Sequence, residues 1–356
     1  MALTINTNIS SIIAQRSLNN ATNSLNTSIE RMSTGYKINH AKDNAAGYSI
    51  ADRWKTQIST LDVAADNAAT GSDLLTTAEQ SYSLLTNHLQ RIRDLTEQAA
   101  NGTYGSGSLR SVQSEIYGRL QEIDRIAANS EFNGIKLMAY NDSDADQNTG
   151  IGITSKGLDL QVGLYSDKNS VINLDISLFK SAAISSLFSG GSTTVIKRDA
   201  KGDTTEETLE LSKALEDAGG SIGALNTEDG LRAMAAACSG LKYTPAGADA
   251  GEGTYSLLSD DDATYGASAM LGFIDKAIDE ISRRVTKIGA AQNRVESATS
   301  AIDIQSQNLT SSLSTLRDTD VADESSNYIQ SQILQQASAT LLSTANQTPS
   351  IALNLI

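Results

Sequence analysis

The chain has very few prolines, cysteines and aromatic residues, and each shortage excludes something. Its 356 residues include only two prolines, Pro245 and Pro349, and both lie outside every helical pattern in the sequence. No proline therefore interrupts a helix in the first two thirds of the chain. The single cysteine, Cys238, excludes an intrachain disulfide and, following three alanines, is predicted to be buried. Aromatic residues make up 4% of the chain, which argues against one compact globule.

Basic residues and export or membrane signals are also scarce. The 27 lysines and arginines are outnumbered by 42 acidic residues, which gives a net charge of -15. Nucleic-acid binding depends largely on Lys and Arg, so we expect no nucleic-acid partner. The first basic residue is Arg16, and the amino terminus lacks the basic-then-apolar order of a secretory signal. No apolar run approaches the roughly 18 residues of a membrane span, so we predict none.

The sequence lacks a candidate catalytic or metal centre. The only histidines, His40 and His88, do not form a zinc-binding motif. Acidic residues alternate between Asp142 and Asn148 as early calcium-loop ligands do, but Gln147 stands where the sharp turn needs glycine. We therefore predict no catalytic residues, no metal and no cofactor.

Residues 271–316 carry the strongest positive signal, a repeat of apolar residues three and four positions apart. Such a repeat keeps one stripe facing a partner helix, and predicts a coiled-coil helix roughly 65 to 70 Å long. A helix of that length cannot bury its stripe alone. The candidate seam residues in this segment are Ile274, Ile281, Ile288, Ile302, Leu309 and Leu316.

Both ends of the chain are predicted to form helices with apolar stripes and hardly any charge. One helix is predicted within the segment 2–36, where Gly35 ends it, and another begins at Ile329 after an acidic interruption over 318–328. Their polar faces are mostly Asn, Ser, Thr and Gln, which suits helices packed between neighbours. The candidate seam residues here are Leu18, Leu25, Ile29, Met32, Ile333 and Leu341.

Two further helices are predicted before the middle of the chain. Residues 45–100 keep a heptad pattern that slips near Ala78, and a third helix starts at Ser106 or Ser108. The dipeptide Asn133-Gly134 is predicted to turn the chain after it.

The middle of the chain, about residues 141–268, has a different character. Of the 26 glycines, 21 lie between residues 101 and 270. Alternating patterns predict strands near 158–162, 172–176 and 193–197, and helical spacing predicts helices over 206–218 and 230–238. These elements predict a small mixed domain.

The patterns together predict a mostly α fold. The amino-terminal helices would pack antiparallel against the carboxy-terminal ones as a long coiled-coil rod, with a small α+β variable domain inserted between them. Stripes at the two ends would remain uncovered, and each fully buried Leu or Ile contributes about 1.5 to 3 kcal/mol. These uncovered stripes therefore predict a helical subunit of a homopolymer.

Several long motifs identify a resemblance. The opening MALTINTNIS, the run SIERMSTGYKINHAKDNAAG over 28–47, LQRIRDL over 89–95, EFNG over 131–134 and the segment 313–342 occur in that order. The chain resembles bacterial flagellin in these two terminal parts. A related hook-filament junction protein and a helical membrane translocator are the alternatives, and the match through 28–47 favours flagellin proper.

The resemblance implies a domain organisation and a set of partners. Residues 1–44 and 318–356 would form inner filament core helices, 45–140 and 270–317 a helical shell with a small β segment near 141–178, and 179–269 a variable outer domain. The subunit would polymerise with its own copies into the filament used for swimming. It would leave the cell unfolded through the flagellar type III apparatus, with an export chaperone, filament cap and hook-junction proteins as partners.

The resemblance also implies a receptor face. In some flagellins the shell helices are recognised by Toll-like receptor 5, and the matching positions here are Arg91, Leu95, Glu115 and Arg119. Arg91 and Leu95 are four apart and are expected on one helix face. The alternative for this face is a solvated or polymer-packing surface.

Overall fold

The fold is mostly helical, as predicted. The computed structural model describes residues 8–101, 103–138, 157–165, 167–188, 192–198, 204–217, 225, 227–244, 254–257 and 263–353. The helices in these residues are α1 (Ile9–Thr34), α2 (Ala45–Ala99), α3 (Ser106–Asn129), α4 (Ile184–Leu187), α5 (Leu211–Asp217), α6 (Glu228–Cys238), α7 (Ala263–Arg317) and α8 (Val321–Leu353). The strands are β1 (Glu131–Phe132), β2 (Ile135–Lys136), β3 (Leu158–Gln161), β4 (Val171–Leu174), β5 (Ser192–Arg198), β6 (Thr204–Glu210), β7 (Leu241–Thr244) and β8 (Thr254–Leu257).

The chain divides into two compact units. The first contains the described residues up to Val63 and from Ile302 onward, and the second contains those from Ala64 to Ala301. The long helices α2 and α7 each contribute to both units.

In the first unit, α1 and α8 form an antiparallel pair, as predicted for the two ends of the chain. At one end of the pair Asn8 Nδ2 donates to the carbonyl of Ala345 at 2.7 Å. In the middle Gln335 Nε2 donates to Thr22 Oγ1 at 3.2 Å. At the other end Arg31 Nη1 lies 3.6 Å from a carboxylate oxygen of Glu324.

The ends of these helices follow from local capping. Gly35 takes the left-handed conformation at φ 75° and its N–H bonds to the carbonyl of Arg31, which ends α1 as predicted. Asp320 accepts hydrogen bonds from the backbone N–H groups of Ala322 and Asp323 and so begins α8. The predicted start at Ile329 is wrong, because acidic residues favour the first turn of a helix and do not interrupt it.

The carboxy-terminal limit of α8 also differs from the sequence prediction. Pro349 was expected outside the helices, but α8 continues to Leu353.

The two chain connections beside this pair are hydrogen-bonded to each other. Lys37 N donates to the carbonyl of Arg317 at 2.7 Å, and Thr319 N donates to the carbonyl of Gly35 at 2.9 Å. Tyr36 forms an antiparallel bridge with Asp318, and the guanidinium carbon of Arg317 lies 4.3 Å from the centre of the Tyr36 ring. We call residues 35–37 with 317–319 the crossing ribbon.

The second unit has its core along α2, α3 and α7. Gln292 on α7 donates to Glu79 on α2 at 2.8 Å, and Arg93 on α2 donates to Asp275 on α7 at 2.6 Å, so these helices are antiparallel. The fully buried side chains include Leu75, Tyr82, Leu85, Leu89, Ile92, Ile116, Leu120, Ile123, Ile274, Ile281 and Ile288.

A buried polar network anchors the loop before α4 to this core. Tyr82 Oη donates to the carbonyl of Leu178 at 2.9 Å, and burial raises the pKa of Tyr82. The buried Arg284 on α7 donates to the carbonyls of Lys180 and Ser181 at 2.9 and 3.1 Å. These bonds satisfy backbone groups that the loop cannot pair within itself.

The inserted segment consists of antiparallel hairpins and short helices. β3 pairs with β4 and β5 with β6, and the strands predicted at 158–162, 172–176 and 193–197 are confirmed in these positions. Residues 206–210, predicted as helix, belong to β6, and helix α5 begins only at Leu211. The helix predicted over 230–238 is confirmed as α6, and Asn133 and Gly134 turn the β1–β2 hairpin with positive φ.

The end of the insert packs on α3. Tyr117 Oη on α3 donates to Glu228 on α6 at 3.1 Å, and Gln113 on α3 donates to Tyr255 Oη on β8 at 3.1 Å. A buried cluster beneath these bonds contains Leu109, Ala233, Ala236, Leu241 and Tyr243. Cys238 is buried, as predicted, and burial raises its thiol pKa to about 12.

Candidate functional site

The helices α1 and α8 meet along small side chains. The buried residues of α1 are Ala14, Ala21 and Ser28, and those of α8 are Glu324, Ser331 and Ser338. Each set repeats every seven residues, as expected for two helices in continuous contact. Small residues let the two backbones approach closely, and they leave little apolar area inside the pair.

Most of the large aliphatic residues of this pair point away from its seam. Nine of the exposed ones are Ile9, Ile12, Ile13, Ile29, Met32, Ile329, Ile333, Leu334 and Leu341. We call these nine residues the outward stripe. Ile333 and Leu341 are 60% and 62% exposed, although a leucine or isoleucine is usually buried. An exposed apolar surface of this kind marks an interaction site.

Four of the predicted polymer or coiled-coil seam residues belong to this outward stripe. Ile29, Met32, Ile333 and Leu341 lie outside the contact between α1 and α8 within one chain, as expected for stripes that stay uncovered in a single molecule. The physical reason is that the small residues occupy the seam positions and turn the larger side chains outward. A strict seven-residue repeat of alanine and serine was the signal that could have located the true seam.

The other predicted seam residues are placed as follows. Ile274, Ile281, Ile288 and Ile302 are buried along α7. Leu18 and Leu25 on α1, and Leu309 and Leu316 on α7, are half-buried.

A groove of about 380 Å³ runs along the α1–α8 pair. Its walls include the outward-stripe residues Ile13 and Leu341 and the seam residues Ala14 and Ser338. Apolar walls beside an apolar stripe give this surface the shape and chemistry to accept a side chain from another molecule.

The second candidate surface is a charged face formed by α2 and α3. Arg91 Nε donates to Glu115 Oε1 at 3.0 Å, and Arg119 donates to the same oxygen at 3.3 Å through both Nε and Nη2. Arg119 Nη1 also lies 3.5 Å from His88 Nδ1. The structure thus brings together three of the four predicted receptor residues, with His88 as an additional member.

The electrostatics of this face follow from the pairing. The hydrogen bond from Arg91 holds the pKa of Glu115 below its usual value, and Arg119 acts in the same direction. Burial lowers the pKa of His88, and the charge of Arg119 lowers it further. At neutral pH Glu115 is therefore ionised and His88 is neutral.

Leu95 is placed differently from the prediction. Its side chain is only 2% exposed, so it cannot touch a partner directly. Residues four apart on a helix differ by about 40° around its axis, and here that rotation carries Leu95 into the core while Arg91 stays at the surface.

No centre for metal chemistry is found in the part of the chain that the structure describes. Within it, no three His, Cys, Asp or Glu side chains are grouped so as to hold a metal ion. The acidic run from Asp142 to Asn148 lies outside the described residues.

No helix of the described residues combines the length and apolar character needed to cross a membrane.

The chain is similar to known proteins over its full length. Residues 5–143 match the bacterial flagellin N-terminal helical region, and residues 271–356 match the bacterial flagellin C-terminal helical region. Polar flagellin F of Vibrio parahaemolyticus and flagellin B of Vibrio cholerae are each 33% identical, with 100% of both chains covered. The solved structure of FliC from Burkholderia pseudomallei is 19% identical with a TM-score of 0.36, covering 63% of this chain and 99% of that one.

Proposed function

Since the chain belongs to the bacterial flagellins, the structural and non-enzymatic subunits of the flagellar filament outside the cell, we propose that its α1–α8 pair is the surface that binds other copies. The observation that carries this proposal is the outward stripe. Nine large aliphatic residues of the pair face solvent in a single chain, and a homopolymer gives them a place to be buried.

The low charge of the pair supports the same proposal. On α1 the charged residues are Arg16, Glu30 and Arg31, and Arg31 is already paired with Glu324 of α8. Burying this surface against another copy therefore removes few charged side chains from water. The desolvation penalty, which is several kcal/mol for each buried charge, stays small as a result. Apolar burial then dominates the free energy of association.

The domain limits stay our proposal. We assign residues 1–44 and 318–356 to the filament core, 45–140 and 270–317 to the helical shell with a small β segment near 141–178, and 179–269 to the variable outer domain. The packing of α6, β7 and β8 on α3 supports placing the carboxy-terminal part of the insert beside the shell.

Electron microscopy of the purified chain tests the mode of assembly. We expect long filaments from this one chain type without any accessory protein. A hook-filament junction protein would not extend alone, and a membrane translocator would instead release dye from liposomes. Short assemblies, or dye release without filaments, would contradict the proposal.

The charged face is our second proposal. We assign Arg91, Glu115 and Arg119 to recognition by Toll-like receptor 5, supported by their resemblance to the recognised positions of some flagellins and by their mutual contact at the surface. Leu95 would act only by holding α2 in place. The pre-formed pairing keeps both guanidinium groups oriented, so binding loses less side-chain entropy.

Arg91→Glu should lower receptor activation at least tenfold. It removes the bond to Glu115 and sets two carboxylates against each other, which misorients the whole cluster. The measurement is a dose-response curve in reporter cells that express the receptor. Arg93→Gln is the matched control, because Arg93 pairs with Asp275 and Glu97 and not with this cluster. Equal loss in both variants would argue against a specific site.

The remaining partners follow from family membership alone. We propose that an export chaperone covers the outward stripe before export through the flagellar type III apparatus, and that the filament cap and hook-junction proteins contact the assembled subunit.

A further inference from the structure

We propose that Leu84 is the apolar anchor of the receptor face, inserting into a hydrophobic pocket that is bordered by carboxylates on the partner. This inference rests on the receptor recognition proposed above and names the chemistry of its contact. The charged face otherwise has no large apolar residue to bury, because Leu95 is enclosed in the core.

The exposure of Leu84 is unusual for its helix. The structure describes α2 throughout, and its other leucines, Leu61, Leu74, Leu75, Leu85, Leu89 and Leu95, are all buried. Leu84 is 52% exposed. The heptad pattern explains this difference, since Leu85 takes the core position and its neighbour is rotated by about 100° out of the core.

Leu84 shares a face with the charged residues. His88 follows it by four residues and Arg91 by seven, which places all three along one side of α2. Two contacts fix the register of α2 against α3, Ser81 with Ser130 at 3.0 Å and His88 with Arg119 at 3.5 Å. Leu84 lies between them along α2, so it is level with the part of α3 that follows Arg119 and contains Glu122 and Arg125.

The charges around Leu84 indicate the kind of surface that it fits. Arg91 and Arg119 bind the single carboxylate of Glu115, and Arg125 Nε donates to Glu122 at 2.8 Å. Three guanidinium groups therefore share two carboxylates, which leaves N–H donors and a net positive charge in a chain of net charge -15. A leucine beside such a cluster complements an apolar pocket with acidic side chains at its rim.

Binding of the full chain to the purified receptor ectodomain, measured by surface plasmon resonance, tests this inference. Leu84→Ala should raise the Kd about tenfold, which is the effect of losing roughly half of the apolar burial of one leucine side chain. Leu84→Met should bind like the unmodified chain. Val63→Ala is the matched control, since Val63 is a 57% exposed aliphatic residue on the same helix, and its binding should not change.

The outcomes separate this inference from the proposed function. If the unmodified chain binds and Leu84→Ala binds equally well, the anchor is wrong while receptor recognition stands. If the unmodified chain does not bind at all, both are wrong. If Leu84→Ala keeps its receptor affinity but loses filament assembly, the leucine serves a second copy and the inference is overturned. Circular dichroism at matched concentration verifies that each variant is folded.

Discussion

Removing residues 321–356 is expected to abolish filament assembly and to unfold α1. The deletion takes away every α8 contact to Ala14, Ala21 and Ser28, together with the polar contacts of Asn8 and Thr22. A single 26-residue helix with so few charged pairs is marginal in water without a partner. The loss of helical signal should therefore exceed that of the deleted segment, as measured by circular dichroism, and no filaments should appear in electron micrographs.

The same truncated chain contains its own control. The second unit has a separate core that includes Leu89, Ile116 and Ile281, so its thermal unfolding transition should stay within a few degrees of that of the full chain. Filaments formed by the truncated chain would refute the assignment of assembly to the terminal pair. Loss of the unfolding transition of the second unit would mean that the deletion destroys the whole fold, and not only the assembly surface.

Ile333→Asp combined with Leu341→Asp should abolish assembly while α1 and α8 remain paired. Both side chains are exposed in the single chain, so aspartate is solvated there and does not disturb the small-residue seam. In the polymer each substitution forfeits about 1.5 to 3 kcal/mol of apolar burial and adds the desolvation of an unpaired carboxylate. Sedimentation of assembled material should show at least a hundredfold rise in the critical concentration.

A conservative pair of substitutions controls for position. Ile333→Leu with Leu341→Met keeps the volume and apolar character, and its critical concentration should change only slightly. Circular dichroism of the aspartate variant should match that of the unmodified monomer. Normal assembly of the aspartate variant would mean that the outward stripe does not lie between copies.

The long helices could be predicted because their signals are local and repeated. The heptad over 271–316 and the turn signals at Gly35 and Asn133-Gly134 are confirmed by α7, by the end of α1 and by the β1–β2 hairpin. The strand β6 could not be predicted, because its glutamates favour helix and only its pairing with β5 overrides that preference.

The sides on which the terminal helices bury their residues could not be predicted either. A hydrophobic repeat says that a stripe needs a partner, but it does not say whether that partner is in the same chain. Ser331 is buried and Ile333 is exposed because the small residues of α1, Ala14, Ala21 and Ser28, leave room for a serine of α8 in the seam. Leu95 shows the same limit on α2, where a rotation of about 40° from Arg91 carries its side chain into the core.

The crossing ribbon has a mechanical consequence. Two unbonded connections would let α1 and α8 swivel freely at the start of α2, since each would rotate about single backbone bonds. Here a swivel must break the Lys37–Arg317 and Thr319–Gly35 hydrogen bonds together and separate Tyr36 from the Arg317 guanidinium. Because a swivel must break these contacts at the same time, the ribbon resists rotation of the terminal pair about the adjoining ends of α2 and α7, which belong to the same unit.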